Sequence, residues 1–382
     1  MLRYAKAIAL GACLAVLGAC SASGGGSIGT TDASVLAAAK AGVARDFKGT
    51  STSPPTTGPT PKRNVNVMVI SCGQITDACS VPAAAAQAAG RSLGWNVSVF
   101  DGKLDPTVFN QGVRQAIATH QDAIVLDSID CGAVRQSLIA ARSAGIKIYA
   151  FYAFDCNDPA YGGGPKMFDG STVYAQPYGS NYANLAKAIG AAEADYAIAQ
   201  TNGKAQVVEF TLQDIVFSSY AKKGFEEELA KCGGCRVLGN VTYAGPDIGP
   251  PLTAKAQAAF LRYPSANVSF APVDSGAAFI APAVSQFKAS RGIVALGGEG
   301  LAANIGLVRT DRGQDLASGG GAQWIGWAAI DGVNRLLNGQ APVSSGIGIL
   351  LVDREHNLPA SGPVRNPIDF AAAYRQAWGL SK

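Results

Sequence analysis

The sequence predicts an α/β protein built of two doubly wound, parallel-sheet lobes. Three observations lead there. Short apolar runs rich in β-branched residues alternate with helix-length segments from Asn64 onward, the signature of βαβ units. Those runs are apolar almost throughout, as strands are when helices cover both faces of a parallel sheet. The alternation then restarts at Asn181, which implies a second unit. A chain of 382 residues, 48% hydrophobic and only 15% charged, is long enough for two packed lobes and too apolar to be disordered.

The chain opens with Arg3 and Lys6, then an apolar run from Ala7 to Leu17. A basic start, about 7–15 apolar residues and then small ones make a secretory signal peptide. The run is short of the roughly 20 residues that span a bilayer. Leu17-Gly18-Ala19-Cys20 resembles a bacterial lipobox, which makes residues 1–19 the signal and Cys20 the acylated first residue of an exported, membrane-anchored protein. A cleaved soluble signal with a coincidental cysteine is the alternative.

Residues 21–31, rich in Ser, Gly and Thr, read as a tether. Ser34–Phe47 reads as one helix with Asp32 or Ser34 as cap. The Pro-rich stretch from Gly49 to Pro61 admits neither helix nor central strand, so residues 20–63 read as tether, short helix and linker, with the folded body starting near Lys62.

In the first unit the strands are Val65–Ile70, Asn96–Phe100, Ala123–Leu126 and Lys147–Phe151. Between them the spacing predicts a helix capped by Ser80 and running to Leu93, with Pro82 in its first turn, then helices Pro106–Thr119 and Cys131–Ala144. The second unit reads as helices Asn181–Gln200, Ser219–Lys231, Leu252–Tyr263 and Ser275–Ser290, leading into strands Ala205–Phe210, Arg236–Val241, Val268–Ala271 and Gly292–Leu296. A helix Trp324–Leu337 and a Pro/Gly-punctuated tail complete the chain.

Eight cysteines fit export. Cys13 leaves with the signal and Cys20 takes the lipid. The other six fall in three local groups, Cys72 with Cys79, Cys131 with Cys156, and Cys232 with Cys235, which read as disulfides in an oxidising compartment. The C-x-x-C at Cys232–Cys235 follows a helix instead of opening one, so a structural staple is favoured over a redox dithiol, whose thiol is activated at a helix N-terminus.

The order of segments resembles the type I periplasmic solute-binding proteins, in their ribose-binding-like, sugar-type subgroup. The resemblance rests on Leu93-Gly94-Trp95-Asn96-Val97 followed by Asp101–Pro106, on Gln115-Ala116-Ile117 with Asp122–Leu126, on Ala144–Ile148, on Lys223-Gly224-Phe225 and on Gly298-Glu299-Gly300. It implies three strands crossing a hinge, near Val173–Tyr178, Ser318–Gln323 and Ser345–Leu350. The lobes would then be 64–174 with 323–347, and 175–322 with 348–382. It also implies capture of a small solute, sugar-like or more apolar, and its delivery by a monomer to an ABC permease.

Ligands in open α/β sheets bind beyond the carboxyl ends of the strands. That rule selects Ser71–Cys79, Asp127–Asp130, Tyr152–Asp155, Thr211–Phe217, Val273–Ser275 and Glu299. The candidate ligand-binding residues are Gln74, Ser128, Tyr152, Phe154, Phe217, Asp274, Glu299 and Trp324. The chain departs from the sugar-binding pattern, with Tyr152-Ala153 in place of an Asp-Arg pair, Ser219 in place of an Arg, Val273 in place of an Asn, and Gly320 or Gly321 in place of a Gln. Aromatic walls suit a sugar face and an apolar ligand equally.

Other classes find little support. The two histidines, His120 and His356, form no triad, and no Cys/His spacing suits zinc, so neither catalysis, metal nor cofactor is expected. Gly298–Ala303 mimics a dinucleotide fingerprint but comes late in the chain. Without Arg3 and Lys6, the 31 basic residues become 29 against 27 acidic ones, a charge of +2, and no basic stripe suits nucleic acid. A sensor presenting its ligand to a membrane receptor uses the same site as a transport protein.

Overall fold

The computed structural model of the protein describes residues 32–380, so the expected signal peptide (residues 1–19) and Cys20 lie outside the described residues. The first element, α1 (Ala33–Lys48), is capped by Asp32, whose Oδ1 accepts the Ser34 N–H at 2.7 Å. No described helix is long and apolar enough to cross a membrane.

The first lobe alternates β1 (Asn66–Ser71), α2 (Asp77–Ser92), β2 (Asn96–Asp101), α3 (Pro106–Ala118), β3 (Ala123–Asp127), α4 (Cys131–Ser143), β4 (Lys147–Phe151) and β5 (Gly170–Ser171). Its sheet is parallel throughout, in the order β2-β1-β3-β4-β5. Val69 pairs with Val99 on one side and Val125 on the other. Both Val69 and Val125 are fully buried, as expected of central strands covered on both faces. Helix α2 starts earlier than its sequence pattern suggests. The N–H groups of Cys79 and Ser80 both donate to the Thr76 carbonyl, so Thr76 is the cap and Ser80 lies inside, with Pro82 beyond the first turn.

The second lobe follows with α5 (Tyr182–Gln200), β6 (Gln206–Leu212), α6 (Val216–Leu229), β7 (Arg236–Tyr243), α7 (Pro250–Arg262), β8 (Val268–Phe270), α8 (Asp274–Arg291), β9 (Val294–Leu296) and α9 (Ala302–Thr310). Its parallel sheet runs β7-β6-β8-β9. Helices α5 and α6 cross on glycines. A Cβ at Gly190 would sit 1.9 Å from the Ala221 carbonyl oxygen, and one at Gly224 1.9 Å from that of Lys187. No larger residue fits either position without parting the helices.

Between the lobes, Val173 bridges Ser344 and the Ala175 N–H donates to the Ile347 carbonyl. Beside them β10 (Ala317–Ser318) precedes α10 (Ala322–Leu337) and pairs antiparallel with β11 (Leu351–Val352). A final helix, α11 (Phe370–Ala377), closes the chain.

Two expectations about the ends are corrected. The Pro-rich segment is no free linker, and the folded body already includes α1 instead of starting near Lys62. Helix α1 packs on α5 of the second lobe. Thr50 and Thr52 N–H groups donate to the Ile349 and Gly346 carbonyls at 2.8 Å. The Thr57 and Pro59 carbonyls then accept from Arg335 and Asn334, and the Lys62 carbonyl accepts from the Trp95 indole at 2.8 Å. Prolines bar helix and central strand, but their carbonyls remain acceptors, so side-chain donors hold the segment. The tail does not stay with the second lobe either. Helix α10 packs on α2 and β4, and α11 packs on α10 through stacked Trp327 and Trp378 rings 5.7 Å apart and a 2.9 Å bond from the Trp378 indole to Asp331. Residues 370–377 therefore belong with the first lobe, a return that large aromatic area drives and linear order conceals.

Candidate functional site

A cleft of about 160 Å³ lies where the carboxyl ends of both sheets face each other. The first lobe contributes Ser128 and Asp130 after β3, and Tyr152 and Phe154 after β4. The second contributes Tyr182, Leu185 and Ile189 from α5, Ile215 and Phe217 at the start of α6, and Glu299 after β9. The hinge closes the back with Ser318, Gly319, Gly321 and Ala322, and with Ile347 to Leu350.

Rings dominate the walls. Tyr182 is the hub, with centroids 5.6 Å from Tyr152, 5.0 Å from Phe154 and 5.7 Å from Phe217, all within the range of favourable aromatic pairs. Ser128 and Tyr152 both have left-handed backbones, at φ 55° and 49°. Non-glycine residues hold that conformation at a cost that the surrounding structure must sustain. Here the twist sits at the ends of adjacent strands, where the Ser128 N–H donates to the Phe151 carbonyl.

The charged groups are few and acidic. Asp130 caps α4; its Oδ1 accepts the Phe154 N–H at 2.8 Å and its Oδ2 the Tyr161 hydroxyl at 2.7 Å. Burial pushes its carboxyl up to about 6 against the pull of those bonds. Glu299 accepts the Asp274 N–H on Oε2 at 2.8 Å, and burial raises its carboxyl too. The Tyr152 and Tyr182 phenols are pushed up by burial and by nearby carboxylates.

The cleft thus gathers Ser128, Tyr152, Phe154, Phe217 and Glu299 from the expected set and leaves out three. Gln74 is exposed beside the cleft's outer loop, its amide donating to Ser71 Oγ at 2.7 Å. Asp274 is buried behind Glu299 and accepts the Leu301 N–H at 2.8 Å; as the first residue of α8 it braces the loop that carries Glu299. Trp324 is fully buried and stacked on Phe370 at 5.6 Å, because the face of α10 that carries it is turned to the core. Asp130 lay within a loop the strand-end rule selects. Tyr182, Leu185 and Ile189 had no such signal, since they belong to a helix that begins at the hinge.

Three disulfides join Cys72 to Cys79, Cys131 to Cys156 and Cys232 to Cys235, with Cα separations of 5.6, 5.1 and 5.3 Å, ordinary for such bonds. The second ties the start of α4 to the loop after β4, and so fixes Asp130 relative to Phe154. The one cluster of potential metal ligands among the described residues, Cys131, Asp155 and Cys156, consists of that disulfide and a neighbouring acid, whose sulfurs are already bonded to each other.

The family described as "Periplasmic binding protein domain" matches residues 69–341. Among curated proteins, none matches the chain by sequence. Solved structures share its fold. A glucose-galactose binding protein from Geobacillus stearothermophilus is 15% identical at a TM-score of 0.64, over 77% of this chain and 99% of that one. An ABC transporter solute binding protein from Mycobacterium smegmatis, with bound glycerol, is 15% identical at 0.65, over 79% and 100%. A 5-methylthioribose transporter solute binding protein from Thermotoga lettingae is 16% identical at 0.65, over 84% and 96%.

Proposed function

The chain belongs to the periplasmic binding protein domain family, and from that premise we propose that it is an extracytoplasmic, lipid-anchored capture protein. It takes a small organic solute between its lobes and delivers it, as a monomer, to an ABC permease. One observation carries the reading: the cleft is built jointly by both lobes and the hinge, so that a solute within it is contacted from both sides. The similar structures that bind sugars or glycerol support a small solute. Ser128, Tyr152, Phe154, Phe217 and Glu299 would contact it. Membership of a family of binding proteins favours capture over catalysis.

A thermal-shift screen of sugars, polyols, aromatics and amines on the purified protein tests this. A true ligand adds about 2.7 kcal/mol at a hundredfold excess over its Kd, and Phe217→Ala removes that gain. Stabilisation that survives Phe217→Ala unchanged places the ligand elsewhere and ends this reading.

A further inference from the structure

Resting on the reading of the cleft as a capture site, we propose that its solute is a small organic cation, an alkylammonium or aryl-alkylammonium, held by an aromatic box against two carboxylates. Of the residues lining the cleft, Asp130 and Glu299 are acidic and none is Lys, Arg or His. Tyr152, Phe154, Tyr182 and Phe217 supply four ring surfaces from both lobes. The face of an aromatic ring is its negative pole, so rings and carboxylates both attract a positive centre, most strongly where water is excluded.

Two further carboxyl groups lie behind the wall. Asp274 backs Glu299 and keeps Oδ1 without a partner; Glu193 on α5 is fully buried with both carboxylate oxygens unpartnered. The charges acting on these two are other carboxylates, Asp274 and Glu299 on Glu193 and Glu299 on Asp274. A neutral polyol would leave the two carboxylates without a partner of opposite charge. An anion would find no Lys, Arg or His side chain in the lining to pair with. A cation satisfies the lining, and the remaining apolar surface from Leu185, Ile189 and Ile347 covers its carbon skeleton.

The test uses the purified full protein in melting experiments with choline and benzyltrimethylammonium. Each is run beside its neutral carbon isostere, 3,3-dimethylbutan-1-ol and neopentylbenzene, and beside D-glucose and L-arabinose. The expected result is stabilisation by at least one cation, with its isostere at least about tenfold weaker. Glu299→Gln is expected to lose that preference; circular dichroism and the ligand-free melting point show that it folds, and Asp130→Asn provides a second variant. Stabilisation by a sugar but by neither cation, or equal stabilisation by a cation and its isostere, overturns the cationic assignment and leaves capture standing. If all six compounds are silent the cationic assignment fails, and capture fails with it only if the wider screen also finds no ligand.

Discussion

The Tyr220 hydroxyl donates to Asp158 Oδ1 at 2.8 Å, bonding α6 of the second lobe to the loop after β4 of the first. The same ring stacks on Phe154 at 5.3 Å, and Phe154 is a wall of the cleft. The contact that joins the lobes and the surface that would meet a solute are therefore one assembly.

Tyr220→Phe keeps the ring and deletes the bond. A hydrogen bond of this kind contributes about 0.5–1.5 kcal/mol, so ligand release is expected to quicken about two- to tenfold. Small-angle scattering of the ligand-free variant should give a larger radius of gyration than the parent; an identical radius would show that the bond does not hold the lobes together.

Trp324→Ala separates core from site. Loss of a fully buried indole costs about 3–5 kcal/mol, and the melting point should fall accordingly while the affinity of the surviving fold for its ligand stays at the parental value. A large loss of affinity with little loss of stability would return Trp324 to the binding site.

Asp130 makes stability depend on pH in an unusual direction. Its folded carboxyl titrates near 6, above its ordinary value of 3.8, so between those values the folded state holds a proton that the unfolded chain has lost. Stability from this group is thus greatest at low pH and declines as pH rises through the window. Its neighbours Asp158, Tyr161 and Tyr182 add no positive charge to reverse the sign. Denaturant titrations at pH 4 and pH 6 should show a smaller decline in Asp130→Asn than in the parent.

Replacing Cys131 and Cys156 together by Ser removes the closure of a loop whose ends lie 25 residues apart. The expected loss is about 2–4 kcal/mol, with weaker ligand binding as Asp130 and Phe154 lose their fixed spacing. Denatured, unreduced parent protein should expose no reactive thiol from Cys72, Cys79, Cys131, Cys156, Cys232 or Cys235; alkylation of Cys232 and Cys235 without reductant would favour a redox role.

Cys20→Ala is expected to move the protein from the membrane fraction to the soluble extracytoplasmic fraction. A variant that remained membrane-bound and lipid-labelled would remove the anchor assignment.

Much of the scaffold was legible because its signals are local. Asp32, one of the two residues the sequence offers as cap, caps α1, and the apolar runs became strands within a residue or two. What escaped depends on contacts distant in sequence. Nothing near Trp324 says which face of α10 meets the core, and nothing near Tyr182 says that it becomes the hub of four other aromatic residues. Strand-end position found Ser128, Tyr152 and Glu299 because topology alone puts those ends at the cleft. It could not tell Glu299, which faces the cleft, from Asp274, which lies just behind it.

The threading of residues 49–62 from α1 on the second lobe, past Gly346 and Ile349, to Arg335, Asn334 and Trp95 on the first has a mechanical result. Together with the return of α11 to α10, it means that neither half of the molecule owns a continuous piece of chain whose contacts end at the hinge. Arg335 shows this in one side chain, bonded at once to Asp331 of its own helix and to the Thr57 carbonyl. Heat should consequently melt both halves in a single cooperative step, with equal calorimetric and van't Hoff enthalpies. A protease that cut within the Pro-rich strap should instead split that step into two.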